Sequence, residues 1–393
     1  MAQNDMKRIL SLAAALLLAA TALSAQVRHE MTVPDIPGFV TLKGDMHIHT
    51  TFSDGSVWPT TRIDECVWEG IDVLCITDHV DARLQKYTLD GTFNPEKVDR
   101  NTSFRMMEKY ARDKGVLVVH GGEITSQIMP PGHMNVLFVN DNNPVGAAMD
   151  AAGKNRQPEG ADAAVRVARK QGAFVTWNHP NWCRQAPDKT VIYPEHEQYR
   201  KEGIINGVEI YNWWDGYCKE GHHWAVEHGL TLMSGTDSHH PMFMDIDFLA
   251  GELRPATLIF AKERTLEGVR EALDNQRTAV FAEGKIYGAA ELLTPLLDAC
   301  IVVKKVTKTK TKLTIEVYNC SSIPVILDKA PGSEQWQISR HVTLHPFEHQ
   351  TLTLYRLNKS EPLDSDVFDL HYTVDNFFTD ADVKLPWVLH IEK

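Results

Sequence analysis

Residues 44–55 read Gly44-Asp45-Met46-His47-Ile48-His49-Thr50-Thr51-Phe52-Ser53-Asp54-Gly55, and one short amphipathic stretch later comes Ile76-Thr77-Asp78-His79. Side chains alternate along an extended strand, so the His-x-His step sets both imidazoles on one face. Two imidazoles side by side make half of a metal site. A carboxylate five residues beyond His49, at Asp54, and a third imidazole after the next apolar strand, at His79, extend the pattern toward a full ligand set. An isolated His-x-His is usually a surface or core feature. The Ser-Asp-Gly and Thr-Asp-His that follow make this one a candidate metal centre.

Outward from this stretch, residues 40 to 285 alternate short apolar strands with amphipathic helices. Thr60 or Thr61 is placed to cap a helix that carries Ile63 and Val67 and stops at Gly70. Strands are expected over 71–77, 116–120, 173–176, 205–211 and 230–233. Helices are expected near 99–114 and 161–171 and over 224–228, with glycine at the ends for left-handed caps. Such alternation predicts a mainly parallel sheet with crossover helices, closed or nearly closed as a barrel. The polar residues fall where the strands end: Asp78-His79, Gly121-Gly122-Glu123, Asn178-His179-Pro180 and Gly235-Thr236-Asp237-Ser238-His239. In a barrel those ends share one rim, and the rim holds the active site. Four unrelated solvated loops would have no reason each to carry His, Glu or Asp.

The remainder of the chain sets the context. It has 393 residues, 43% hydrophobic and 23% charged, with a formal charge of -12 and 18 histidines. A backbone-gripping nucleic-acid binder needs a basic face and is excluded as the main reading. Lys7 and Arg8, the apolar run from Ile9 to Leu23 and the small residues Ala22 to Ala25 form an export signal over 1–25. The mature chain is then expected to start near Gln26, outside the cytoplasm, in the periplasm of a Gram-negative source or secreted otherwise, and with no membrane span. Of six cysteines, Cys75 lies in an apolar strand and reads as a buried hydrophobe, and no pair has zinc-finger spacing. Export permits disulfides, and Cys183 with Cys218 is left open. A helical connector over 289–299 follows Thr265 and its helix. Beyond residue 300 come short alternating strands at 313–318, 325–327, 336–338, 350–355 and 367–372, a compact antiparallel sheet or sandwich. The expected division is a signal at 1–25, a hydrolase barrel at 26–290 and a β domain at 300–393. Gly-x-Ser-x-Gly and Gly-rich phosphate-loop motifs are both missing, which argues against a serine hydrolase and nucleotide-driven chemistry.

The Asp-x-His-x-His-Thr opening, Ser-Asp-Gly, Thr-Asp-His, Gly-Glu, Asn-His-Pro and late Asp-Ser-His resemble the PHP family, named for polymerase and histidinol phosphatase, over residues 40 to 285. The resemblance implies an α/β fold, a distorted (β/α)7 barrel holding two to three divalent ions, here with a small C-terminal all-β, sandwich-like domain. It implies a first metal at His47, His49, Glu123 and Asp237, a second at His79, His239 and Asp54, and a third at His133 and His179 bridged by Glu123. His120 competes with His133, because His133 precedes a strand instead of following one. Nitrogen and oxygen donors without thiolate suit Zn, Mn or Fe. Such ions lower the pKa of water to about 7 and offset charge on an anionic ester. The implied activity is phosphate-ester hydrolysis by metal-activated water, with exported phosphodiesterases as the nearer likeness and a small phosphate ester as substrate. Processive nucleic-acid binding is not expected, and the oligomeric state is not legible. Arg184 and Arg83 are candidate phosphate clamps, and His240 a candidate proton donor to the leaving group. Glu209 and Asn212 point to the same rim as residues that orient ligands. Trp177, Trp182, Trp213 and Trp214 flank it, for stacking or packing, and His222 and His223 read as helix-surface or packing residues. Rival readings are a phosphomonoesterase, an amide or lactone hydrolase, disfavoured by Glu123 where such barrels bridge metals with a modified lysine, and a non-catalytic metal- or glycan-binding protein.

Overall fold

The computed structural model describes residues 30–81, 99–152, 156–182, 186, 188–358 and 367–392. The export segment over 1–25 and the residues Arg83, Cys183 and Arg184 lie outside the described residues.

The ring is built from β1 (Val40–Ile48), β2 (Val73–Ile76), β3 (Leu117–Ile124), β4 (Met134–Leu137), β5 (Phe174–Trp177), β6 (Gly207–Asn212) and, after the two-residue β7 (Gly216–Tyr217), β8 (Thr231–Gly235). β1, β2 and β3 are parallel, as are β5, β6 and β8. β4 runs against both its neighbours, β3 and β5. The ring closes only at its upper end. There Ile48 bridges to Ser238, the His49 N–H donates to the Ser238 carbonyl, and the Asp237 N–H donates to the His47 carbonyl. The lower half of β1 pairs instead with the antiparallel β9 (Ala256–Ala261), which continues into β10 (Thr278–Ala282) and β11 (Lys285–Gly288). This is the nearly closed barrel the alternation predicts, distorted as the family resemblance implies, with the distortion at β4 and at the β1 seam. Below the rim the interior is plugged by Met46, Cys75, Val119, Leu137, Phe174 and Met233, so the site is a cup on a packed core and not a channel.

Local chemistry explains most boundaries. Helix Pro59–Glu69 begins with proline at its first position, where the missing N–H costs nothing, and ends on Gly70 at φ 72°. Thr60 and Thr61 lie inside that helix and Trp58 is the flanking residue, so the threonine cap expected from sequence is corrected. Thr265 does cap helix Leu266–Asp274, its hydroxyl accepting the Gly268 N–H at 3.0 Å.

After helix Ala290–Cys300 the chain forms β12 (Ile301–Lys308), β13 (Lys312–Asn319), β14 (Val325–Lys329), β15 (Trp336–Gln337), β16 (His341–Leu344), β17 (His349–Arg356), β18 (Val367–Asp380) and β19 (Val383–Glu392). One sheet has the order β12-β13-β17-β15. In the other, β16, β14, β18 and β19 are paired antiparallel. Parallel pairing of Ile286 with Phe377 and of Tyr287 with Phe378 makes this second sheet continuous with the barrel sheet. Leu293, Leu296 and Leu297 of the connecting helix share one core with Leu313, Leu370 and Trp387. The Trp387 indole N–H donates to Asp298 at 2.8 Å. Cys218 is buried, and its sulfur accepts the Gly221 N–H at the start of helix Lys219–His228.

Candidate metal centre

The end of β1 delivers His47 and His49 to the rim, with their Nε2 atoms 3.2 Å apart. Asp237, just after β8, sets Oδ1 at 3.3 Å from His47 Nε2 and 3.0 Å from His49 Nε2. Asp54 reaches the outer edge, 3.2 Å from His79 Nε2 and 3.1 Å from His239 Nε2. Glu123 lies inside β3 and not after it. It is the hub: 2.9 Å from His79 Nδ1, 2.9 Å from His133 Nδ1, 3.4 Å from His179 Nε2, 3.4 Å from His49 Nε2 and 3.7 Å from His47 Nε2. Three groupings bring their donor atoms within 4.8 Å of one another: His49-Asp54-His79-His239, His47-Glu123-His179 and His47-His49-Asp237.

His133 belongs here because β4 runs backwards. The start of an antiparallel strand lies at the rim where its parallel neighbours end, so a histidine before the strand reaches the same place as histidines after the others. It joins the cluster through Glu123 and lies outside the three groupings. His120 stacks on Phe104 at 4.2 Å, and Asn142 Nδ2 lies 3.4 Å from its Nε2. None of its contacts among the described residues is with the cluster, which His133 joins instead.

The donor set fits divalent ions on this structure's own evidence. The Nε2 atoms of His47 and His49 face one another and the same carboxylate oxygen. His133 Nε2 and His179 Nδ1 are buried and find no hydrogen-bond partner among the described residues. Buried polar nitrogens are rarely left so unless something else is meant to satisfy them. His239 donates from Nδ1 to the Asp237 carbonyl at 2.7 Å, which leaves Nε2 turned toward Asp54 and the centre. Without ions the cluster balances itself by protons. Burial pulls the His79 imidazole down, but Glu123 and Asp54 outweigh it and hold it at about 9. Burial, with His239 and His79 alongside, pushes His49 down to about 4. Burial would raise the Asp237 carboxyl, yet the imidazoles of His47, His49 and His179 draw it well below the usual carboxylate range.

Several further residues hold this geometry, and among them Arg62, Glu65, Glu69 and Arg254 carry no metal-site signature in sequence. Asp78 accepts the Thr50 N–H, the Thr50 hydroxyl and the Ser53 hydroxyl, each at 2.7 Å, so it shapes the His49–Asp54 loop. Arg62 is fully buried and donates to the carbonyls of His49, Ser238 and His240 while pairing with Glu65. It ties the first rim loop to the last. Arg254, also buried, pairs with Asp45 and Glu69. Asp45 in turn accepts the His47 N–H at 3.2 Å and the Thr236 N–H at 3.1 Å. The spacing of Arg62, Glu65 and Glu69 on one helix face with Ile63 and Cys66 is the signal that could have exposed this buried polar network.

Of the other expected residues, His240 is exposed at the rim, its Nδ1 3.5 Å from the Ser56 hydroxyl. Trp214 is 53% exposed and its indole N–H donates to the Asp237 carbonyl at 3.0 Å. Trp182 lies 4.4 Å from the His133 ring, while Trp177 is buried against His196. His222 pairs with the Tyr217 hydroxyl and His223 with Asp380, both away from the cluster. No helix among the described residues is long and apolar enough to cross a membrane.

A family described as an Ig-like domain (DUF5001) matches residues 301–389. None of the curated proteins matches the chain. The crystal structure of a two-domain protein of Bacteroides vulgatus, containing a predicted PHP-like metal-dependent phosphoesterase, aligns at TM-score 0.82 and 35% identity over 94% of this chain and 100% of that one. A structure from Bifidobacterium adolescentis assigned as a metal-dependent phosphoesterase aligns at TM-score 0.35 and 17% identity, over 50% of this chain and 87% of its own. An amidohydrolase from Chromobacterium violaceum with bound sulfate aligns at TM-score 0.32 and 16% identity, over 50% and 88%. Neither of these two carries weight at that similarity. With the whole of the Bacteroides vulgatus protein covered at 35% identity, the chain belongs to the two-domain PHP-like metal-dependent phosphoesterase family.

Proposed function

We propose that this protein is an exported phosphodiesterase that hydrolyses small phosphate diesters at a centre of two or three divalent ions of the zinc, manganese or iron type. The observation that carries the reading is the convergence of His47, His49, Asp54, His79, Glu123, His133, His179, Asp237 and His239 at one rim, five of the imidazoles around the carboxylate of Glu123. Ions bound there supply Lewis acidity and hydroxide at neutral pH. The protein's own part is to hold the donors, exclude bulk water from below through the apolar plug, and leave the Asp54–His239 edge open, where those side chains are 34% and 27% exposed. His240, exposed beside that edge, is the group proposed to pass a proton to the departing alkoxide. The C-terminal Ig-like unit and the export signal over 1–25 support action outside the cytoplasm.

The preference for diesters has a charge argument. The guanidinium groups built into the centre, Arg62 and Arg254, are both buried on protein carbonyls and carboxylates. A monoester dianion needs more cationic help than a diester monoanion beside so many carboxylates. Arg184 and Arg83 stay as the proposed clamps for the remaining phosphate oxygens.

The test is to strip the protein with a chelator, restore Mn²⁺, Zn²⁺ or Fe²⁺ singly, and assay matched aryl and alkyl mono- and diesters. Turnover should vanish on stripping and return with one of the ions, with diesters ahead of monoesters by at least about tenfold in kcat/KM. Monoesters ahead of diesters would reassign the substrate. Bound metal with no turnover on either would favour the binding-protein reading.

A further inference from the structure

Glu209 is a buried carboxylate in contact with the cluster, yet it belongs to none of the three donor groupings. We propose that Glu209 is a positioning residue: it fixes which nitrogen of His47 is offered to a divalent ion and ties the His179 loop to the same point. This deepens the metal-centre reading above and rests on it. Glu209 Oε1 and Oε2 lie 3.1 and 3.3 Å from His47 Nδ1. Oε2 also accepts the His179 backbone N–H at 2.8 Å and the Asn212 side-chain amide at 3.3 Å. The approach depends on glycine at 235: a Cβ there would sit 2.3 Å from both Glu209 Oε1 and His47 Cβ. His179 has φ 27°, a left-handed conformation that a non-glycine residue holds only when its surroundings insist. Its N–H bond to Glu209 is one such restraint.

A carboxylate only accepts hydrogen bonds, so Glu209 holds a proton on His47 Nδ1 and leaves Nε2 as the nitrogen that offers its lone pair once an ion displaces any proton there. Nε2 is the nitrogen that faces Asp237 and His49. One side chain therefore sets the tautomer of a histidine shared by two donor groupings and the backbone of a residue in one of them.

Glu209→Gln separates this role from simple packing, because it keeps shape and volume. With its oxygen on the His179 N–H, the new amide donates toward His47 Nδ1. Nδ1 then loses its proton, and an ion can take Nε2 only if Nδ1 recovers that proton against the amide donor. Glu209→Asp shortens the reach but still only accepts, so it leaves the tautomer as it is. Metal-free wild type, Glu209→Gln and Glu209→Asp should be titrated with Mn²⁺ by calorimetry, with ¹⁵N-histidine spectra recorded for the His47 ring. The expected result is an affinity loss of about 10–100-fold in the Gln variant, with His47 Nδ1 protonated in wild type and bare of its proton in the variant. The Asp variant should lie closer to wild type, with Nδ1 still protonated. Gln binding Mn²⁺ as tightly as wild type, or as tightly as Asp, overturns the inference, as does a His47 tautomer that the Gln change leaves alone. A wild type that ignores Mn²⁺ is titrated with Zn²⁺ and Fe²⁺ in the same way, and one that binds none of the three overturns the metal-centre reading itself and this inference with it.

Discussion

Glu123→Gln should abolish phosphoesterase activity, lowering kcat/KM by at least about three orders of magnitude while the fold persists. Glu123 is 1% exposed and contacts the imidazoles of His47, His49, His79, His133 and His179. No other carboxylate among the described residues touches as many of the proposed ligands. An amide of the same size fills the space, so packing under the rim is retained. It removes the negative charge that would sit between ions, and its NH₂ group turns a donor toward nitrogens that must also face those ions. Loss of one Lewis-acid contact is worth several kcal/mol in the transition state, and about 4 kcal/mol is a thousandfold. Steady-state kinetics on the best diester, with metal content measured on the same sample, checks this. A Glu123→Gln protein that turns over within tenfold of wild type would remove Glu123 from the centre.

The second large effect is on stability. Arg254→Met should destabilise the protein by roughly 3–5 kcal/mol, because it leaves two buried carboxylates without their cation. Arg254 is 2% exposed, and Asp45 and Glu69 are 0% and 8% exposed. Burial already pushes the Glu69 carboxyl up to about 7 despite Arg254 at 3.0 Å. Without the guanidinium, both groups must take up protons or admit water. The double change Arg254→Met with Glu69→Gln should recover part of the loss, since it removes one of the two stranded charges. Thermal melting of the three proteins decides it. If Arg254→Met melts with wild type, the buried network does not hold the floor of the site. The same change should loosen metal binding, since Asp45 also fixes the His47 N–H and the Thr236 turn that leads to Asp237.

Much of the site is legible in sequence because metal chemistry demands rare residue types at strand ends. His47, His49, His79, His179 and His239 announce themselves by their Asp, Asn and Gly neighbours, and the structure brings all of them to one point. His133 is harder, since its reach depends on β4 being reversed, and a four-residue strand has no sequence mark of direction. Arg62, Glu65 and Arg254 read as surface charges until their partners are known, because burial of a charge is decided by what lies opposite it in space. The C-terminal strands with clean alternation, such as Leu313, Ile315 and Val317 on β13, are predicted from pattern. β12 is missed because its half-exposed edge carries Lys304, Lys305 and Lys308, residues that protect an edge from pairing with other chains. β19 is missed although Leu385, Trp387, Leu389 and Ile391 alternate, because Pro386 interrupts the reading. Proline is tolerated there because β19 pairs only with β18. The continuity of the barrel sheet with the Ig-like unit rests on two residue pairs between β11 and β18, too short a match to leave a trace.

The most direct measurement is anomalous diffraction from crystals grown with Mn²⁺, recorded on either side of the manganese edge. The account predicts peaks enclosed by His47, His49 and Asp237 and by His49, Asp54, His79 and His239, with Glu123 between them. Crystals of active protein whose anomalous peaks all lie away from these side chains would contradict it.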